Sequence, residues 1–195
     1  MFSNYTKRRV LQLCCSKIPQ SEAFVFVDIG AAGGIPKKWS SIEEHLKIVA
    51  FEPDSRATVP GIKNDRFVSI PAPLSKEITD LQFHITRELG KSSLYRPNMA
   101  FLSQFVDSER FEVMKEISFP AAQVLTLDRA FEKMQRQKAD FIKLDTQGSE
   151  LDILEGGPKI LSSAFGIQVE VEFAPLYEKQ PLFRDVDSFM NNHGF

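Results

Sequence analysis

With 195 residues, 43% hydrophobic and 26% charged, the chain has the composition of one ordinary globular domain and enough apolar residues for a core. A formal net charge of −2, with no block of like charge, excludes an electrostatic case for nucleic-acid binding or an anionic membrane surface. Cys14 and Cys15, the only cysteines, are neighbours; this excludes a disulfide scaffold and makes a reducing, cytoplasmic setting the expectation.

In chain order, the basic residues Lys7, Arg8 and Arg9 precede the short apolar run Val10 to Cys15, which Gln12 interrupts. That run is too short for a signal-peptide core or a membrane span. Instead, Tyr5 to Ile18 reads as a helix with Val10, Leu11, Cys14 and Ile18 on one face, within an N-terminal segment 1–20. Phe24 to Ile29 is almost continuously apolar, as a strand covered on both faces must be. Lys47 to Phe51, Phe67 to Ile70, Phe141 to Leu144 and Ile167 to Phe173 are the further core strands. Helices are expected around Lys37–Leu46, Leu127–Gln137, Glu150–Leu154, Lys159–Ala164 and Phe183–Asn192. The alternation predicts an α/β fold: a doubly wound, mainly parallel sheet with helices on both faces. Residues 81–120 depart from it. Leu81 to Thr86 alternates as an antiparallel excursion would, and an insert of this length serves a ligand site more often than a core.

Val27-Asp28-Ile29-Gly30-Ala31-Ala32-Gly33-Gly34 carries the chemistry: a buried strand runs into a turn of Gly and Ala alone. Ligands of doubly wound sheets sit at the carboxyl ends of the strands, where small residues let backbone and ligand approach. Glu52 follows the second strand at about the twenty-residue spacing at which an acid accepts hydrogen bonds from a ribose diol. Ala32 stands where a dinucleotide site prefers a second glycine, and the acid Asp28 suits an ammonium group better than a pyrophosphate. S-adenosylmethionine carries both ribose and ammonium. A dinucleotide or a plain strand–turn–helix stays open on this motif alone.

A second strand end, Asp140-Phe-Ile-Lys143-Leu-Asp145-Thr-Gln-Gly148-Ser-Glu150, runs through a glycine turn into a short helix. This run resembles the Lys-x-Asp-x-x-Gly-x-Glu hallmark of the FkbM family of methyltransferases. Val27 to Gly34 is similar to the family's cofactor loop, and Phe51-Glu52-Pro53 to its ribose-binding strand end. Ala72-Pro-Leu74-Ser75, Thr126-Leu-Asp128, Val169 to Phe173 and, more loosely, Ser92-Ser-Leu94 resemble further elements, all in order between Phe24 and Phe195. The resemblance implies a Rossmann-like class I methyltransferase using S-adenosylmethionine, often for O-methylation of a sugar hydroxyl in a natural product, glycolipid or polysaccharide. Asp28, Gly30, Ala31, Ala32, Gly34, Glu52, Pro53, Leu74, Ser75 and Asp145 are the cofactor-binding candidates. Asp145 is the first candidate for general base and Glu150 the second.

Other readings accompany these. Lys143, inside an apolar strand, needs a partner if buried, and Glu170 or Glu172 on the neighbouring strand is expected. Thr126 and Asp128 read as helix caps, and His84 as a lesser candidate for a base. No cluster has metal-ligand spacing, although Asp128 and Asp145 are the pair to consider for a hard cation. N-methylation, or a cofactor-binding module without turnover, are the alternative functions. Relative to the resembled family, the chain stops at Gly194-Phe195, where a sixth strand and C-terminal hairpin would begin. A bare edge at Ile167–Phe173 is then expected to drive homodimerisation or aggregation, or to be filled by the chain's own N-terminal or insert segment.

Overall fold

The computed structural model describes residues 23–34, 37–57 and 66–195. The expected helix Tyr5–Ile18 and both cysteines lie outside the described residues. Strands β1 (Phe24–Ile29), β2 (Leu46–Phe51), β3 (Phe67–Ile70), β6 (Phe141–Leu144) and β7 (Gly166–Val169) form one sheet in the order β3-β2-β1-β6-β7. All four pairings are parallel. The chain moves outward from β1 on one side to β3 and returns on the other through β6 and β7. A topological switch point, where α/β sheets open a crevice, therefore lies between β1 and β6. β4 (Leu81–Thr86) and β5 (Val113–Phe119) pair antiparallel as a separate ribbon, the excursion expected for this segment.

The alternation of side chains decides what each sheet face becomes. Val25, Val27, Ile29, Val49, Ile142 and Leu144 point to one face and join the main core. Four helices serve that core: α2 (Leu127–Lys133), α3 (Glu150–Glu155), α4 (Pro158–Leu161) and α5 (Phe183–Asn192). On the opposite face, Phe26, Leu46 and Ile48 pack with Trp39 and Phe141. Further along that face the residues turn polar, with Asp28, Lys143 and Gln168 lying side by side in register. The apolar half is a second core and the polar half is the end where a ligand crevice opens.

Local chemistry explains the helix boundaries. Thr126 Oγ1 accepts from Arg129 N at 3.1 Å, capping α2. Asp128 caps α4 rather than its own helix, accepting from Lys159 N and Ile160 N at 3.2 and 3.0 Å. In α5, Asp185 accepts from Leu182 N at 2.9 Å, and Val186, Phe189 and Met190 turn toward the core.

Several elements differ from expectation: α2 stops at Lys133, short of Gln137, and α4 spans Pro158–Leu161 rather than Lys159–Ala164. The helix expected over Lys37–Leu46 is a turn followed by a 3-10 helix, Ser40–His45, and β2 already begins at Leu46. β7 ends at Val169, short of Phe173. Glu170 N still donates to Leu144 O at 2.9 Å, after which the chain leaves the sheet and Phe173 stacks on Phe183. Among the described residues β7 pairs only with β6.

The insert between β4 and β5 contains α1 (Met99–Leu102) and is fastened over the sheet's carboxyl end. Ser93 Oγ donates to Gln147 O at 2.7 Å, and the buried Tyr177 hydroxyl lies 2.9 Å from Lys91 O. Arg56 spans Asp54, Ser92 Oγ and Thr86 O, tying the segment after β2 to the same insert.

Candidate active site

A cavity of about 580 Å³ opens at the switch point, within the range of small-molecule sites. The loop after β1 forms its floor. Gly30 has φ +79° and donates to Phe51 O at 3.0 Å; Gly34 has φ +71° and donates to Ala31 O at 2.9 Å. Both need a left-handed backbone that glycine adopts without strain.

At the end of β2, Glu52 is 9% exposed and faces the cavity. Burial raises its carboxyl to about 7, although the N–H of Asp54, at 2.8 Å, and of Ala32 favour the ionised form. At the end of β6, Asp145 N donates to Ile29 O at 3.0 Å, holding the two strand ends together. The cost of burial at Asp145 is outweighed by a hydrogen bond from Glu170 and by the charge of Lys143, so its pKa lies below the ordinary value.

Lys143 does not pair with Glu170 or Glu172. Its ammonium lies 3.0 Å from Asp28 Oδ1 and 3.4 Å from Asp145 Oδ2, and it donates to Gly30 O at 3.3 Å. The reason is register: Asp28 stands opposite Lys143 on β1, while Gln168 faces it on β7. Burial disfavours the Lys143 charge, but its two carboxylates prevail and raise its pKa; burial likewise raises Asp28 despite Lys143.

The turn after β6 is shaped by Glu150. Its Oε1 accepts from Thr146 N at 2.6 Å and Thr146 Oγ1 at 3.0 Å, and its Oε2 from Gly148 N at 2.9 Å. Burial raises its pKa to about 6. With both oxygens turned into the loop, Glu150 is a scaffold for Asp145 and Gln147 rather than a group presented to the cavity.

Of the sequence candidates, Gly30, Ala32 and Gly34 line the cavity from the first loop, Glu52 and Pro53 from the second, and Leu74 and Asp145 from the opposite walls. Asp28, Ala31, Ser75 and Glu150 stand behind that lining. Asp28, 2% exposed, meets Lys143 instead of reaching the cavity. His84 is also outside it, buried on β4 with Nδ1 3.4 Å from Glu116. Asp128 and Asp145 do not converge, since Asp128 caps α4, and no metal-holding cluster occurs among the described residues. Glu170 and Gln147 join the lining without having been site candidates. Their signal was an acid within the expected strand Ile167–Phe173 and a polar residue in a glycine turn, neither specific alone.

A parallel sheet with a glycine loop after β1, acids after β2 and β6, and a cavity across the switch point defines a Rossmann-like α/β domain of the class I methyltransferase type. Residues 28–195 match the description "Methyltransferase FkbM domain", and the chain belongs to that methyltransferase family. No curated relative and no solved structure gives a significant match.

Proposed function

We propose that this methyltransferase uses S-adenosylmethionine to methylate a hydroxyl of a sugar or natural-product acceptor. The observation that carries the reading is one cavity bounded by Glu52 at one end and by Asp145 and Glu170 at the other. The residues present fit the cofactor. The volume suits a nucleoside-sized ligand, a Cβ on Gly33 would meet nothing within 4 Å, and Glu52 has acceptor capacity beyond its two backbone donors.

When bound, the cofactor supplies an electrophilic methyl group on a sulfonium. Glu52 accepts from the ribose hydroxyls, and the loop Gly30–Gly34 allows close approach of backbone. The insert, through Leu89, Ser92 and Leu94 on the cavity wall, excludes water and helps orient the acceptor for in-line attack. A carboxylate at the β6 end, within reach of the acceptor hydroxyl, takes its proton.

A second reading, N-methylation of an amine, is favoured by the density of acids there: Asp145, Glu170 and Glu172. A cytoplasmic setting belongs to the reading through the cysteine pattern; no described helix is long and apolar enough to cross a membrane. A homodimer through the edge of β7, which pairs only with β6 among the described residues, belongs to it as well, and light scattering tests that.

The functional test is calorimetry followed by product analysis. S-adenosylhomocysteine should bind and NAD should not, and labelled methyl should appear on oxygen when sugar and amine acceptors compete. Binding of NAD alone overturns the cofactor, and label on nitrogen overturns the acceptor class.

A further inference from the structure

Asp145 and Glu170 share more than a cavity wall. The side-chain amide of Gln147 donates to Asp145 Oδ1 at 3.2 Å and to Glu170 Oε2 at 2.6 Å, and the two carboxyls act on each other's proton affinity. Gln147 adopts φ +61°, a conformation unfavourable for a non-glycine residue that persists where surroundings impose it. Here Ser93 Oγ holds its carbonyl at 2.7 Å and the Tyr177 hydroxyl sits 3.2 Å from its Oε1. The strained residue exists to aim one amide at two acids.

The acids differ in what else they touch. Asp145 has Lys143 on its second oxygen. Glu170 faces Asp145, Glu150 and Glu172, with Gln147 as its donor, while Lys91 acts on Glu172. One acid is anchored as an anion, and the other is open to the cavity and surrounded by negative charge.

Resting on the function proposed above, we propose that Glu170 is the catalytic base of the methyl transfer, with Asp145 as its anionic partner and Gln147 as the residue that positions both. The acceptor O–H bond breaks and its proton goes to the Glu170 carboxylate. The oxygen's electron pair forms the bond to the methyl carbon, and the electron pair of the broken carbon–sulfur bond stays on sulfur. Glu170 then releases the proton to water. Loss of surrounding water, together with the hydrogen bond to Asp145 and its charge, raises Glu170 to about 8, so the competent, doubly ionised pair accumulates as pH rises. A base poised near working pH is more effective than the strongly acidic Asp145 alone.

The test compares the wild type with Glu170→Gln and Glu170→Asp by three readouts. The first is the infrared carbonyl band of a protonated carboxyl in the ligand-free protein. In the wild type one component of it should vanish with a midpoint at about 8, above those of Glu52 near 7 and Glu150 near 6, and that component alone should be missing in Glu170→Gln. The second is kcat against pH at saturating donor and acceptor. It should rise with pH through a single ionisation that Glu170→Gln removes, fall by about 10²–10⁴-fold in Glu170→Gln, and be partly restored in Glu170→Asp. The third is S-adenosylhomocysteine affinity, which should change by no more than about threefold, well under 1 kcal/mol. Glu52 also titrates in this cavity, but its effect falls on cofactor affinity and disappears from kcat at saturation. Unchanged kcat in Glu170→Gln, or a wild-type band with no component titrating at about 8 that Glu170→Gln removes, overturns the proposal alone. Equal loss of affinity and turnover makes Glu170 a cofactor ligand and overturns it too. If the wild type does not bind S-adenosylhomocysteine at all, the functional reading falls and this inference with it.

Discussion

Gly30 passes so close to Asp145 that a Cβ built on the glycine would lie 1.9 Å from the Asp145 carbonyl oxygen. The loop after β1 and the end of β6 are thus in backbone contact, and Lys143 adds a bond to the Gly30 carbonyl from the same strand. The floor of the cavity and the acid above it are one rigid unit.

Gly30→Ala should therefore destabilise the fold by about 2–4 kcal/mol, combining a positive φ with a backbone clash. Gly33→Ala, where a Cβ meets nothing within 4 Å, should stay within about 0.5 kcal/mol. Urea unfolding of the two variants checks this; equal losses would show that neither contact nor conformation matters at Gly30.

Lys143→Met should cost about 3–5 kcal/mol at pH 7 because it leaves Asp28 buried without its cation. Adding Asp28→Asn should restore most of the loss by removing the orphaned charge. The single variant should also recover as pH falls, since Asp28 can then take up a proton. A double mutant no more stable than Lys143→Met would refute the pairing.

The limits of β1, β3 and α5 follow from sequence residue for residue, because each depends on a local pattern. A run apolar on both faces is a buried strand, and apolar residues at helical spacing followed by Gly194 are a helix with a stop. Partners across strands are another matter. Lys143 needed an acid, but whether Glu170, Glu172 or Asp28 answered depends on the β1–β6 register, which no single strand encodes. Glu150 shows the same limit. Its place in a helix first turn was legible; that the preceding loop curls back to bring Thr146 and Gly148 onto its carboxylate was not. Gln147 escaped notice because its importance lies in a strained backbone and a two-way hydrogen bond, both properties of the folded turn.

Glu52→Gln should weaken S-adenosylhomocysteine binding by roughly tenfold to a hundredfold, since hydrogen bonds to a charged acceptor contribute about 1.5–3 kcal/mol. The wild-type carboxyl titrates near 7 when the cavity is empty, and hydroxyl donors favour its ionised form. Wild-type affinity should accordingly rise from about pH 6 to about pH 8, with proton release, and the variant should lose that dependence. Calorimetry in buffers of different ionisation enthalpy reads both effects. An unchanged dissociation constant in Glu52→Gln removes Glu52 from the site.

The last prediction concerns stability without ligand. Burial raises Glu52 to about 7 and Glu150 to about 6, and Glu170 lies at about 8, all above the ordinary 4.5 of an unfolded glutamate. The folded state therefore binds these protons more tightly than the unfolded chain does. Their contribution is fully present below the unfolded value and is lost as pH rises through about 6 to 8. Asp54 and Asp145 are shifted the other way: burial works against their charge, but Arg56 at Asp54, and Glu170 and Lys143 at Asp145, hold them below the ordinary 3.8. Their contribution is present above that value and is lost only as pH falls through their lower folded values. The ligand-free protein should thus melt at a higher temperature near pH 5 than near pH 8.5, with destabilisation returning in stronger acid. Glu52→Gln and Glu170→Gln should each flatten the alkaline limb, because an amide has no proton to lose. Differential scanning fluorimetry across this range decides it. A melting temperature that is level or climbs between about pH 5 and about pH 8.5 would mean that these carboxyls are ionised in the folded protein at no cost, contrary to their surroundings.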